Sequence, residues 1–220
     1  MQNIKAIIFD AYGTLFDVNS AAKKCKDKIG NKWEGFANYW RTTQLEYTWL
    51  RSLMDKHKDF WTITEDSLDK SMQVFKIDPS MKNELLDLYK ILSTFPEVHD
   101  VLQKLKEKKY KLAILSNGTP TLLNELVKSN NLDSIFDDIF SVEEVKIYKP
   151  HSKVYNIPIT KYQIQKNEVV YLSANTFDVS AVGNFGFNPV WVNRNKSIFD
   201  NLDYVPKYQV ENLVKLLDII

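Results

Sequence analysis

Asp10 ends a short apolar run, Ile7-Ile8-Phe9, and opens the segment Ala11-Tyr12-Gly13-Thr14-Leu15. A carboxylate with apolar residues behind it is costly to bury unpaired. Lys149, which precedes Pro150, is a candidate partner. A cation within ~4–6 Å lowers a carboxyl pKa, and an ionised carboxylate is a usable nucleophile. A buried aspartate that caps a turn is the alternative reading of Asp10. Other polar groups also follow apolar runs: Ser116-Asn117-Gly118 comes after Leu112 to Leu115, and Ser173-Ala174-Asn175 after Val169 to Leu172, with Asp178 close behind. Thr14 and Ser116 both precede helical segments and read equally well as N-caps. Asp178 is a candidate to activate water or to hold Lys149, or else an acid at a helix N-terminus. Arg41 lies beside Trp40, with Leu45 one turn on along the same helical face. That face looks toward something apolar, although a lone helical arginine is more often surface charge. His57, His99 and His151 have neither metal-ligand spacing nor a Ser/His/Asp arrangement and are assigned no chemistry.

The elements that must position these groups follow from hydrophobic periodicity. Ile7 to Phe9, Leu112 to Leu115, Val169 to Leu172 and Pro189 to Val192 are near-continuous apolar runs, with a weaker one at Ile139 to Val142. Such runs are expected of strands buried on both faces of a parallel sheet. Helical patterns lie between them, at Glu97 to Lys109 and Thr121 to Val127. The alternation predicts an α/β fold, a doubly wound parallel sheet. In such sheets ligands sit outside the carboxyl ends of the strands, so the polar groups above would converge on one mouth. One connection does not fit: about 80 residues follow the first run before the next helix, where a βα loop takes about 2–6. This insert predicts helices at Glu34 to Phe60, with Trp40, Tyr47, Leu50 and Met54 as its apolar face, at Glu65 to Phe75 and at Ser80 to Leu92; Pro79 separates the last two and Pro96 closes the segment. The expected organisation is a core of residues 1–16 and 96–220 interrupted by a helical cap at 17–95.

Composition narrows the function. The chain has 220 residues, 44% of them hydrophobic and 26% charged, which is a globular balance. Twenty-nine basic against 28 acidic residues leave +1, which offers no broad field for nucleic acid or an anionic membrane. The lysines from Lys104 to Lys111 read as a solvated helix end. A single cysteine, Cys25, excludes an internal disulfide and favours a reducing compartment. The start has no signal-peptide pattern, and no apolar run approaches the ~20 residues that span a bilayer. The expectation is a soluble cytoplasmic protein.

Together the segments FDAYGTL, LSNG, Lys149-Pro150 and SANTFD resemble the four motifs of the haloacid dehalogenase superfamily, over almost the whole chain. Within it, the insert segment YWRTTQLEYTWLRSLM followed by DFW is similar to the L-2-haloacid dehalogenases. The resemblance implies a Rossmann-like core, a helical cap and a homodimer. It also implies hydrolytic dehalogenation of short L-2-haloacids to D-2-hydroxy acids, with Asp10 as nucleophile, Thr14 orienting it, and Lys149, Ser173, Asn175 and Asp178 completing the reacting set. Ser116, Asn117 and backbone N–H groups of the loop from Ala11 would bind the substrate carboxylate. Arg41 would receive the halide, and Tyr155 would hydrogen-bond near the site. Tyr12, Leu45, Phe60 and Phe177 would cradle the alkyl group, with core packing the alternative for both phenylalanines. Phosphatases of the superfamily carry a second aspartate where this chain has Tyr12. A halide leaving group needs no proton, so an aromatic side chain is tolerated there. One carboxylate, Asp178, stands where Mg²⁺ enzymes have an acidic pair, too little for a cation that prefers several oxygen ligands. No metal and no cofactor are therefore expected. A phosphatase, or a silent binding protein on the same fold, is the competing reading. Ala174 in place of a second serine, and Phe177 where some members have tryptophan, leave the pocket's size open.

Overall fold

The apolar runs pair edge to edge in the computed structural model, which describes residue 1 and residues 3–220. Strands β1 (Ala6–Phe9), β2 (Lys111–Ser116), β3 (Asp138–Ser141), β4 (Val169–Ser173), β5 (Asn188–Val192) and β6 (Tyr208–Val210) make one sheet, in the order β3-β2-β1-β4-β5-β6. Every pairing is parallel; Ile8 lies opposite Ala113 on one side and Tyr171 on the other. Burial of β1 and β4 along their whole length explains why both read as continuous runs rather than alternations. The expected doubly wound α/β class is thus the observed one. The edge strand β6 had no such signal: Tyr208-Gln209-Val210 is only three residues long and is not a continuous apolar run.

Around the sheet run α6 (Val98–Glu107), α7 (Pro120–Ser129), α8 (Ser152–Tyr162) and α9 (Thr176–Phe185). The predicted stripe of α6, Val98, Val101, Leu102 and Leu105, is its buried face. Thr119 caps α7 by accepting the Leu122 N–H, and Gly186 closes α9 in the left-handed region at φ 107°.

The insert holds α1 (Ser20–Lys24), α2 (Lys26–Ile29), α3 (Trp33–Leu53), α4 (Phe60–Phe75) and α5 (Lys82–Lys90). The helix expected over 34–60 stops at Leu53. Asp55 takes φ 54°, and Asp59 starts a new helix by accepting the Thr62 N–H. The polar run Asp55 to Asp59 breaks the helix and caps the next. The expected apolar face of α3 also needs correcting. Trp40 is buried, but Leu50 and Met54 are 51% and 57% exposed. The buried side turns instead through Phe36, Ala37, Thr43, Gln44 and Thr48, because α4 packs along it; Gln44 finds Thr64 there, and the Thr48 hydroxyl turns back to Leu45 O of its own helix. The chain leaves and re-enters the sheet layer through adjacent connectors: Phe95 N–H donates to Leu15 O at 3.1 Å and Asp17 N–H to Ser93 O at 2.8 Å.

Candidate active site

Strand order reverses between β1 and β4, the place where an open α/β sheet leaves a crevice at its carboxyl edge. Asp10 follows β1 there, and its backbone N–H donates to Leu172 O of β4. Its two carboxylate oxygens are held differently. Oδ2 accepts from Thr14 Oγ1 at 3.0 Å and Asn175 Nδ2 at 2.8 Å, with Ser173 Oγ at 3.5 Å. Oδ1 has Lys149 Nζ at 3.0 Å. Thr14 is oriented in turn, because its hydroxyl accepts the Ala174 N–H at 2.8 Å. Neither Thr14 nor Ser116 caps a helix: Thr14 serves Asp10, and Ser116 Oγ accepts the Gly118 N–H.

Lys149 arrives on the loop between β3 and α8. Its backbone N–H donates to Asn117 Oδ1 at 3.1 Å, which ties that loop to the turn after β2. Its ammonium is buried and reaches Asp10 Oδ1, Asp178 Oδ2 at 3.1 Å and Tyr171 Oη at 2.5 Å. A buried lysine needs such pairing. Asp178, in the first turn of α9, is fully buried. It accepts from Tyr155 Oη at Oδ1 (2.8 Å) and from Tyr171 Oη at Oδ2 (3.0 Å). Burial pushes the Asp178 carboxyl above its ordinary range, against the pull of Lys149, and the nearby Asp10 charge pushes the same way. Burial likewise raises Tyr155 and Tyr171, helped by the Asp178 charge, so both phenols keep their protons and act as donors.

A cleft of about 550 Å³ opens between α3 and the strand ends, lined by Tyr12, Arg41, Leu45, Asn175 and Phe177 among others. Asp10 lies one hydrogen bond behind this lining, since Asn175 Nδ2 reaches both Asp10 Oδ2 and Tyr12 O. Arg41 Cζ lies 5.9 Å from the Tyr12 ring centre, and its Nη1 donates to Gln44 Oε1 at 2.8 Å. Its predicted neighbour Leu45 shares the cleft wall. Tyr12 stacks on Tyr89 (5.9 Å) and tilts against Phe60 (5.2 Å), so Phe60 stands one layer behind the cleft. Burial raises the Tyr12 phenol well above its ordinary value. Ser116 ends β2 and Asn117 opens the turn after it; both are buried, and Ala11 is fully buried.

Several contributors were invisible to sequence reasoning. Tyr171 passed as one more apolar residue of β4. Its signal was a hydroxyl in a strand covered on both faces, which must find a partner. Gln44 is buried in α3, donating to Thr64 Oγ1 (2.7 Å) and Tyr89 Oη (3.0 Å) while holding Arg41. Arg194 reaches Thr14 O at 2.8 Å and Glu97 Oε1 at 2.6 Å over the Phe95 ring, bracing the loop after Asp10 against the connectors. As for a metal, no three His, Cys, Asp or Glu gather as a ligand group among the described residues. The position between the Asp10 and Asp178 carboxylates is filled by the Lys149 ammonium.

A Rossmann-like sheet carrying an aspartate, a lysine and an asparagine at its switch point, with a helical insert above, defines a class of hydrolase. The family model described as haloacid dehalogenase-like hydrolase matches residues 7–192. (S)-2-haloacid dehalogenase 4A of Burkholderia cepacia is 36% identical over 100% of this chain and 96% of its own length. Haloacetate dehalogenase H-2 of Moraxella sp. (strain B) is 33% identical over 100% and 99%. The L-2-haloacid dehalogenase of Xanthobacter autotrophicus, solved with chloropropionic acid covalently bound, superposes with a TM-score of 0.90 at 31% identity, covering 98% of each chain. The chain belongs to the haloacid dehalogenase-like hydrolase family, on its (S)-2-haloacid dehalogenase branch.

Proposed function

We propose that this protein hydrolyses short L-2-haloacids to D-2-hydroxy acids through an ester on Asp10. The observation that carries the reading is the unequal holding of the Asp10 oxygens. Oδ1, with one ammonium contact, is the oxygen free to attack C2 from the face opposite the halogen. The carbon–halogen bond breaks as the new C–O bond forms, and the halide leaves toward Arg41. Oδ2 then becomes the ester carbonyl oxygen, already facing the Thr14 hydroxyl, the Asn175 amide and Ser173. These donors are aimed where negative charge grows when water attacks the ester carbonyl carbon. Asp178 takes the water's proton while Lys149 neutralises the developing charge; as the intermediate collapses, Asp178 returns that proton to the leaving alkoxide oxygen, the hydroxy acid departs, and the Asp10 carboxyl so restored loses its proton to solvent. Covalent chloropropionic acid in the Xanthobacter autotrophicus relative supports an ester route. Ser116, Asn117 and the Ala11 loop bind the substrate carboxylate, while Tyr12, Leu45 and Phe177 pack the alkyl group with Phe60 behind them.

The reading includes a cap at 17–95 over a core of 1–16 and 96–220, supported by the paired connectors. It also includes a homodimer, supported by exposed Leu50 and Leu53 on α3, Met54 just beyond it, and a neighbouring apolar groove of about 700 Å³ lined by Trp49, Leu53, Tyr148, Pro150 and Phe177. Sedimentation velocity tests the dimer; a single species of one-chain mass at micromolar concentration would rule it out. No helix among the described residues is long and apolar enough to cross a membrane.

A halide-release assay over C2 to C4 2-haloacids tests the function. Release from the L-enantiomers is expected, unchanged by a strong chelator because Lys149 supplies the cation between the carboxylates. Loss of activity on chelation, restored by Mg²⁺, would overturn the metal-free reading. Hydrolysis of p-nitrophenyl phosphate at a rate rivalling halide release would favour the phosphatase instead.

A further inference from the structure

Tyr171 lies in the middle of β4, two residues before Ser173 and on the same side of the strand. Its ring packs between Tyr155 (6.1 Å) and Phe187 (6.1 Å), and its hydroxyl is fully enclosed. A phenol has one proton to give. With Asp178 Oδ2 at 3.0 Å and the Lys149 ammonium at 2.5 Å, the proton goes to the carboxylate and the oxygen lone pair accepts from the lysine. Counting donors and acceptors then closes the cluster. The three ammonium hydrogens go to Asp10 Oδ1, Asp178 Oδ2 and Tyr171 Oη. Asp178 Oδ2 takes two donors, while Oδ1 takes only Tyr155, so one acceptor position of the carboxylate stays open, on Oδ1.

We infer that Tyr171 is a positioning residue of this site: its hydroxyl fills Asp178 Oδ2 and the third hydrogen of Lys149, leaving Oδ1 as the oxygen that takes a proton from water. The inference rests on the proposed role of Asp178 as base. Without the hydroxyl, Lys149 has a buried hydrogen with no acceptor and Asp178 loses a donor that favours its charged form. The change at Asp178 acts on the second half of the reaction, in which Asp178 takes the proton of water; halide departure does not involve that carboxylate.

Tyr171→Phe is the test. Ester hydrolysis should slow about tenfold with KM little changed, the range expected when general-base catalysis is impaired but not removed. A pre-steady-state burst of halide should then appear, approaching one equivalent per site. The acid limb of kcat should move to higher pH, because the carboxylate has lost a donor. A purely packing role would lower thermal stability or the burst amplitude and leave the acid limb in place.

A readout independent of turnover separates this inference from the reaction it serves. In protein labelled at aspartate ¹³Cγ, with Asp178 assigned through Asp178→Asn, the Asp178 midpoint should rise by about half a pH unit or more in Tyr171→Phe, the effect of one lost hydrogen bond to a carboxylate. Site-specific 3-fluorotyrosine at position 171 keeps the shape and strengthens the donor, so it should lower the midpoint even if the phenylalanine variant fails to fold. Absence of halide release by the unmodified enzyme would overturn the proposed reaction while the midpoint shifts still report on Tyr171. Unmoved midpoints in both variants would overturn the role given to Tyr171.

Discussion

At the scale of single residues, the site works by sharing: the Lys149 ammonium serves Asp10, Asp178 and Tyr171 at once, and Asp10 Oδ2 faces Thr14, Asn175 and Ser173. Asp10 and Lys149 were legible because a carboxylate after a buried strand, and a lysine before a proline on another segment, have few ways to be satisfied except by each other. Tyr171 and Gln44 were not, since neither carries a charge: Tyr171 passes as one more apolar residue of its strand, and Gln44 passes as part of a polar, solvated helix face. Arg41 is held by Gln44, and Gln44 by Thr64 and Tyr89, so the guanidinium is fixed over Tyr12 before any halide arrives. Arg41→Ala should therefore lower kcat by about 10²–10³ with a smaller change in KM, the loss expected when one fixed donor to developing charge is removed. Stopped-flow halide release measures both terms. A folded Arg41→Ala variant with near-normal kcat would reduce Arg41 to surface charge.

At the scale of elements, strands read from sequence better than the insert did. The continuous runs Ile7 to Phe9 and Val169 to Leu172 are short and rich in β-branched and aromatic residues, which reads as doubly covered strand, whereas α3 misled because its buried face includes Thr43, Gln44 and Thr48 while Leu50 and Leu53 face outward. Polarity on a helix marks solvent only when no partner waits inside, and here α4 and Tyr89 supply partners. The turn after β2 shows how tightly these elements meet. A Cβ on Gly118 would lie 2.8 Å from the Tyr12 hydroxyl and 2.9 Å from Leu123 Cδ2. Tyr12 cannot retreat, because Tyr89 and Phe60 flank its ring. Gly118→Ala should thus cost about 1–3 kcal/mol by overpacking and raise KM by pushing Tyr12 into the cleft. Urea unfolding and steady-state kinetics on the same preparation check both, and unchanged stability with unchanged KM would mean that the turn and Tyr12 are free to move apart. Leu102→Ala, in the buried stripe of α6, should cost about 2–5 kcal/mol with kcat unchanged in the folded fraction.

At the scale of the whole molecule, stability and chemistry draw on carboxylates in opposite ways. Burial pushes Glu97 and Asp137 up, yet backbone N–H bonds and their ion pairs with Arg194 and Lys106 hold both below the ordinary range. The unfolded chain then binds more protons than the folded one as pH falls, so their stabilisation is present above about pH 4.3 and lost below it. Asp178 has the opposite sign: its raised folded pKa weakens stability as pH rises through that value. Thermal unfolding across pH 3 to 8 should show Tm falling below about pH 4, and Glu97→Gln should flatten that fall; an equally steep fall in the variant would assign the loss to other groups. The central claim concerns the covalent step, and single-turnover reaction in ¹⁸O-water with enzyme in excess tests it most directly. An Asp10 ester hydrolysed at its carbonyl carbon delivers the aspartate's own oxygen to the product, so the hydroxy acid should carry ordinary oxygen while the peptide containing Asp10 gains the label. Label in the hydroxy acid on the first turnover, with none in Asp10, would mean that water attacks the substrate directly and that Asp10 is a base.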